Sequence, residues 1–139
     1  MAELTIDALL REARTSIDRL APEDAHRASG AGALIIDTRC SDDRRRLGTI
    51  PWSVHVPLSV LYWRLDPTSG FDDPSLSDRG RQVILVCAHG FSSSLAAATL
   101  RQLGFALATD VVGGFEGWVT AGLPIDPVEG HGATAGDQP

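Results

Sequence analysis

Two stretches, Leu34-Ile35-Ile36 and Val83-Ile84-Leu85-Val86, are apolar at every position, in a chain whose N-terminal apolar residues recur three and four places apart. A continuous apolar run reads as a parallel strand buried on both faces, and the three-four spacing reads as a helix with one apolar stripe. Ile6, Leu10, Ala13 and Ile17 form such a stripe and predict an N-terminal helix, read as an extension over residues 1–16. Residues 17–20 predict a short first strand. Pro22-Glu23-Asp24 then has the proline and acids suited to the first turn of a helix that ends near Gly30 and Gly32. The strand beginning at Leu34 ends at Asp37, and the polar stretch after it predicts a short helix stopped at Gly48. Residues 53–56 predict a third strand, closed by Pro57, and residues 58–65 a helix. Residues 66–80, rich in Pro, Gly, Ser and Asp, read as a loop with a turn of helix near Ser77. After the strand at 83–86 come a helix capped by Gly104, a last strand at 109–112 and a short helix at 115–121. From Asp126 the chain is rich in Gly and poor in large apolar residues, so a flexible tail is expected over 127–139.

Strands that alternate with helices imply an α/β domain, here residues 17–126, with a parallel sheet covered on both faces. Such sheets bind their ligands beyond the carboxyl ends of the strands. Asp37 and Cys87 both stand at those ends, so fifty positions of separation do not prevent them from sharing one rim.

The chemistry concentrates in Cys87-Ala88-His89-Gly90-Phe91-Ser92-Ser93, which joins a strand to a helix within six residues. Gly90 allows the loop to curl until its N–H groups point inward. Ser92, Ser93 and Ser94 are possible N-caps for the helix, whose dipole and unpaired amides add positive potential. A sulfur anion on Cys87 is stabilised in such a cradle, and the thiolate is the reactive form of cysteine. A cysteine after a strand is otherwise a small buried hydrophobe, but that role needs neither the glycine nor the serine triplet.

With 139 residues, 43% hydrophobic and 22% charged, the chain has room for one full core and is neither disordered nor fibrous. A net charge of −6 argues against nucleic acid and acidic membranes as partners and favours small solutes or proteins. The first fourteen residues mix charges and lack the profile of a signal peptide, and no stretch suits a membrane span. Cys40 and Cys87 make neither a disulfide framework nor a metal-ligand spacing. The setting expected is a reducing cytoplasm, with no metal and no cofactor.

Several segments together resemble the rhodanese family of sulfurtransferases. Ile35-Ile36-Asp37-Thr38-Arg39 resembles the family's strand ending in Asp-Val-Arg. Gly48-Thr49-Ile50-Pro51 and Val54-His55-Val56-Pro57-Leu58 resemble its Gly-His-Ile-Pro and Asn-Ile-Pro-Leu segments. CAHGFSS, starting at Cys87, resembles the active loop of the small single-domain members, and GGFEGWVTAGLPI, starting at Gly113, the family's C-terminal signature. The resemblance implies a five-stranded parallel sheet between helices and a cysteine that carries sulfur. Cys87 would attack the outer sulfur of a donor such as thiosulfate, release sulfite and hold a persulfide until a thiol or cyanide removes it. Ala88, His89, Gly90, Phe91, Ser92 and Ser93 would line the substrate site, with Asp37 and Arg39 as supporting residues, read first as structural and otherwise as functional through a hydrogen bond from Asp37 that braces the loop.

Departures from the pattern matter as much. Phosphatases and arsenate reductases of this fold clamp oxyanions with an arginine six positions after the cysteine, and here that position is Ser93. Losing such a guanidinium removes on the order of several kcal/mol of transition-state binding. Many thiosulfate-using members carry Arg or Lys in the loop. Here only His89 can offer a cation, so thiosulfate affinity is expected to be low, with a protein or small-molecule persulfide as donor. The alternative to a free-standing enzyme is a sulfur-relay or regulatory binding module. His89 is expected either to reach the substrate or to bond a nearby carbonyl, and Phe91 to shape the pocket wall. Trp52 and Trp63 are candidates for an apolar rim, with packing at the sheet edge as the plainer reading, and Trp118 is expected in the core. Arg44, Arg45 and Arg46 read as a solvated helix face balanced by Asp42 and Asp43, or as guides for an anionic donor, a task for which Arg64 is the weaker candidate. Cys40 is a resolving thiol only if it reaches Cys87.

Overall fold

The computed structural model describes residues 3–127. The strands β1 (Leu34–Asp37), β2 (Val54–His55), β3 (Val83–Val86) and β4 (Thr109–Asp110) form one sheet in the order β2-β1-β3-β4, parallel throughout. The two apolar runs are the two central strands, which pair from Leu34↔Val83 to Asp37↔Val86 and are buried at every position. Consecutive side chains in a strand point to opposite faces, so each run feeds two cores. Leu34, Ile36, Val83 and Leu85 pack with Leu61 and Leu65 of α4 (Leu61–Leu65) and with Ala96, Ala97 and Leu100 of α5 (Ser92–Gln102). Ile35, Ile84 and Val86 face Ala25 of α2 (Pro22–Gly30) and Phe115 and Trp118 of α6 (Gly114–Thr120). Each fully buried aliphatic side chain in these layers contributes about 1.5–3 kcal/mol.

The sheet has four strands rather than five. Residues 17–20 contribute a single parallel bridge, Leu20↔Val111, with Leu20 N–H on Asp110 O at 3.0 Å and Val112 N–H on Leu20 O at 2.9 Å. α1 (Ile6–Thr15) and the helix begun by Pro22 leave too few residues between them for a ladder. The expected helix at 58–65 is split into a 3-10 turn, Leu58–Val60, and α4. The polar stretch after β1 forms α3 (Ser41–Leu47), and Cys40 caps it by accepting from Asp43 N–H at 3.5 Å.

α1 starts at Thr5, whose hydroxyl accepts from Ala8 N–H at 3.0 Å, and it packs along α5. Its predicted stripe is only partly covered, with Ile6 exposed and Leu10 and Ala13 half-buried. At the other end Asp126, placed at the start of the glycine-rich stretch, pairs with Thr49 through two backbone bonds of 2.7 and 3.3 Å. The tail expected over 127–139 lies, from residue 128 onward, outside the described residues.

Candidate active site

The carboxyl edge of the sheet gathers Asp37 at the end of β1, Cys87 just after β3 and Asp110 at the end of β4. Between β3 and α5 the chain turns inside one short loop. Gly90 makes this possible with φ +86°, and a Cβ there would lie 2.9 Å from Gly113 N and 3.1 Å from Arg19 Nη2. From below, the Gly113-Gly114 turn comes so close that a Cβ on Gly114 would sit 2.5 Å from Cys87 O and 2.6 Å from Gly90 N. The first amides of α6 hold the loop there, Phe115 N–H on Cys87 O at 2.8 Å and Glu116 N–H on Ala88 O at 3.1 Å. The C-terminal glycine pair therefore serves the loop, by letting two backbones touch.

Cys87 is buried, 6% exposed, with Gly90 N–H at 3.1 Å and Ser93 N–H at 3.4 Å from Sγ. The thiol donates to Ser93 Oγ at 3.2 Å, and Ser93 Oγ donates to Asp110 Oδ2 at 2.8 Å. Ser94 Oγ adds a second hydroxyl to the same oxygen at 2.7 Å, and Arg19 grips the carboxylate through Nε and Nη2 at 2.8 and 3.2 Å. One hydroxyl proton serves one acceptor at a time. When Cys87 ionises, the Ser93 proton turns to sulfur, and Asp110 keeps Ser94 and Arg19. Burial, the largest single influence, opposes that ionisation. The hydroxyls of Ser93 and Ser92 and the amides of Ser93 and Gly90 together outweigh it and hold the Cys87 thiol below its ordinary value. The amides of His89, Phe91 and Ser92 donate to no protein acceptor among the described residues, which leaves them for an anion.

The serines do not cap α5 as expected. Phe91 is the N-cap residue, and its ring has no acceptor for a capping bond, while the hydroxyls of Ser93 and Ser94 are turned to Asp110. Nor does Asp37 brace the loop. Its carboxylate accepts from Arg39 N, Nε and Nη2 and from Arg44 Nε, all within 3.1 Å. The link from β1 to β3 passes through Thr38, whose N–H and hydroxyl donate to Val86 O at 2.9 and 3.2 Å. Arg39 is buried, donates to Gly48 O at 2.8 Å and lies 3.8 Å over the Phe115 ring, with Nη1 unpartnered. Sequence reasoning missed Asp110, Arg14 and Arg19. The one available signal was an acid inside the apolar stretch Ala108-Thr109-Asp110-Val111-Val112.

Around the loop, Arg39, Leu47, Ala88, His89, Phe115, Glu116, Val119 and Thr120 line a mainly apolar cleft of about 310 Å³. His89 is exposed, and its ring makes no hydrogen bond among the described residues, so the carbonyl bond weighed for it is not present. Phe91 is 63% exposed with the Arg14 guanidinium 6.0 Å from its ring, and it does not line the cleft. Trp52 and Trp63 do not form a rim. Trp52 precedes β2, with φ +58°, stacks on His26 and donates to Ser29, and Trp63 borders a groove with Tyr62 and Phe71. Trp118 is wholly buried, as expected. Arg45 and Arg46 pair with Asp42 and Asp43, whereas Arg44 turns to Asp37. Arg64 is taken by Phe71 O and Asp73. Cys40 is exposed, and both cysteines are free.

The model of the rhodanese-like domain matches residues 21–121. The chain belongs to the rhodanese-like domain family. Thiosulfate sulfurtransferase GlpE of Pseudomonas savastanoi is 35% identical over 116 residues, 84% of this chain and 99% of that protein. An adenylyltransferase and sulfurtransferase of Oryza sativa is 38% identical over 104 residues, 71% of this chain but 22% of the rice protein. A solved structure from Rhodopseudomonas palustris, described as of unknown function and a possible tyrosine phosphatase, is 32% identical. It superposes with a TM-score of 0.83 over 91% of this chain and 97% of that one. The rhodanese-like domain thus accounts for residues 21–121, the fold of the Rhodopseudomonas palustris protein is shared over 91% of the chain, and among the described residues no helix is long and apolar enough to cross a membrane.

Proposed function

We propose that this rhodanese-family protein is a sulfurtransferase that carries a sulfane sulfur as a persulfide on Cys87. The observation that carries the reading is the geometry of Sγ, which meets two loop amides and the Ser93 hydroxyl at 3.1–3.4 Å while three further loop amides stand without protein acceptors. The Cys87 thiolate attacks the outer sulfur of a donor. A new S–S bond forms, the donor's S–S bond breaks, and its electron pair leaves with the departing group, sulfite when the donor is thiosulfate. The negative charge on the terminal persulfide sulfur is then met by preorganised N–H groups. A thiol or cyanide acceptor attacks that sulfur, and Cys87 leaves as the thiolate. Ala88, His89, Gly90, Phe91, Ser92 and Ser93 form the substrate site, and Arg39 supports the adjoining cleft, held in place there by Asp37.

One feature favours a donor larger than thiosulfate. The loop contains no Arg or Lys, and in the adjoining, mainly apolar cleft the Arg39 charge is paired with Asp37 while Glu116 is acidic, so a small dianion finds little free counter-charge there. An organic or protein-borne persulfide has apolar surface to lay in the cleft, and the same feature suits a relay that passes sulfur to a partner protein. The two free cysteines fit a reducing, cytoplasmic setting. The phosphatase description belongs to the Rhodopseudomonas palustris protein. In this chain position 93 is a serine already shared between Cys87 and Asp110, and phosphoryl binding has no guanidinium within the loop.

Incubation with thiosulfate or glutathione persulfide, followed by intact mass, tests the reading. The expected result is a gain of about one sulfur atom that is lost on addition of thiol and absent in Cys87→Ala. Equal transfer rates with and without the Cys87 thiol would remove it from the mechanism. Thiosulfate is expected to load the protein more slowly than the organic persulfide.

A further inference from the structure

Two guanidinium groups that lie outside the family-matched segment close on a single carbonyl of the active loop. Gly90 O accepts from Arg14 Nη2 at 2.8 Å and from Arg19 Nη2 at 3.0 Å. Arg14, in the last turn of α1, is fixed by a second bond from Nε to Ser94 Oγ at 3.1 Å. Arg19, in the connection to α2, is fixed by its pair with Asp110. Arg14, Arg19, Arg39, Asp110, His89 and Glu116 are the charged and titratable side chains grouped around the loop, and of these Arg14 and Arg19 touch the Gly90 carbonyl.

The C=O and N–H of one trans peptide unit point in opposite directions, and among the described residues no peptide is cis. Gly90 O shares its unit with Phe91 N–H. Drawing the carbonyl toward the two cations turns the Phe91 amide away from them. That amide has no protein acceptor among the described residues, and it lies in sequence between the two that reach Sγ, Gly90 and Ser93. A carbonyl bonded to charged donors also polarises its own peptide, which makes the N–H a stronger donor.

We propose that Arg14 and Arg19 are positioning residues that act through the Gly90 carbonyl to aim and strengthen the Phe91 amide toward a sulfur anion at Cys87. The N-terminal helix is then a working part of the site. Positive charge absent from the loop side chains enters it through the backbone. The inference rests on Cys87 as the reactive thiol.

The test is the pH dependence of Cys87 alkylation by iodoacetamide in the full chain, in a Cys40→Ser background that leaves one thiol. Arg14→Gln is expected to slow alkylation about 3- to 10-fold below the midpoint while keeping the plateau rate at high pH, a midpoint shift of about half to one unit. Arg14→Lys retains the charge and one of the two contacts, so its midpoint is expected between wild type and Arg14→Gln. A lost packing contact alone lowers Tm and leaves the midpoint in place. An unchanged midpoint in a folded Arg14→Gln would overturn the proposal. Should that variant not fold, a wild-type midpoint in Arg14→Lys would overturn it and an intermediate midpoint would support it. Alkylation requires no sulfur donor. Failure of sulfur transfer therefore counts against the proposed function and leaves this readout intact.

Discussion

Asp37 and Asp110 are both buried carboxylates at the carboxyl ends of parallel strands, yet they do opposite work. Asp37 is satisfied by Arg39 and Arg44, two and seven residues away, and its ion pairs close the β1–α3 corner upon itself. Asp110 draws on Arg19, Ser93 and Ser94, separated from it by 91, 17 and 16 residues, and stands one hydroxyl from Cys87 Sγ. Burial and charge alone therefore do not distinguish the two acids. The identity of their donors does, because a hydroxyl shared with the Cys87 thiol couples Asp110 to it and a locally paired arginine does not.

The sharpest way to break this comparison is to remove each carboxylate in turn. Asp37→Ala leaves Arg39 buried without its partner and is expected to cost about 3–5 kcal/mol. Denaturant unfolding would show the loss, while the alkylation midpoint of Cys87 stays at the wild-type value. Asp110→Ala is expected to cost about 3 kcal/mol, less because Arg19 is 18% exposed and can turn to water. It is expected to move the Cys87 midpoint, since Ser93 loses the acceptor that orients it. Identical midpoints in the two variants would dissolve the distinction.

Gly90→Ala tests whether the loop tolerates any change of path. Its Cβ would meet backbone nitrogens at 2.9 and 3.1 Å in a left-handed conformation, so a loss of about 1–3 kcal/mol and of most alkylation reactivity is expected. A fully reactive variant with wild-type Tm would mean that the amides need no fixed geometry.

Ser93→Ala is the mildest substitution, because it removes one hydroxyl and keeps the amide bonded to sulfur. The donors around Cys87 hold its thiol below the ordinary value against burial. Alkylation therefore rises as pH increases through a midpoint below that of a free thiol and levels off above it. With the hydroxyl gone, burial opposes ionisation with less resistance, and the midpoint is expected to move upward. Stability should fall by only about 1 kcal/mol, read from denaturant unfolding. A midpoint that stays or falls would separate Ser93 from the thiolate.

The sequence alone determined the two central strands, the cysteine at the strand end and the loop glycine. Continuous apolar runs and a short strand-to-helix turn are local patterns, and local patterns constrain the backbone directly. It also placed Trp118 in the core and the family through motifs in a fixed order. What it misjudged depended on distant partners. A fifth strand was expected where only Leu20 finds a bridge, because the ladder depends on how much chain α1 and α2 leave between them. Of the two readings of Asp37, structural or a brace for the loop, the sequence could not choose, and neighbouring arginines take its oxygens. Asp110 and Arg19 lie 91 residues apart, and the pair reaches the loop only once β4 is in the sheet and the segment between α1 and α2 lies beside it. Tertiary structure decided the hydrogen-bond chain from Cys87 to Asp110 and the grip on Gly90, because hydrogen bonds between segments remote in sequence leave no periodicity along the chain.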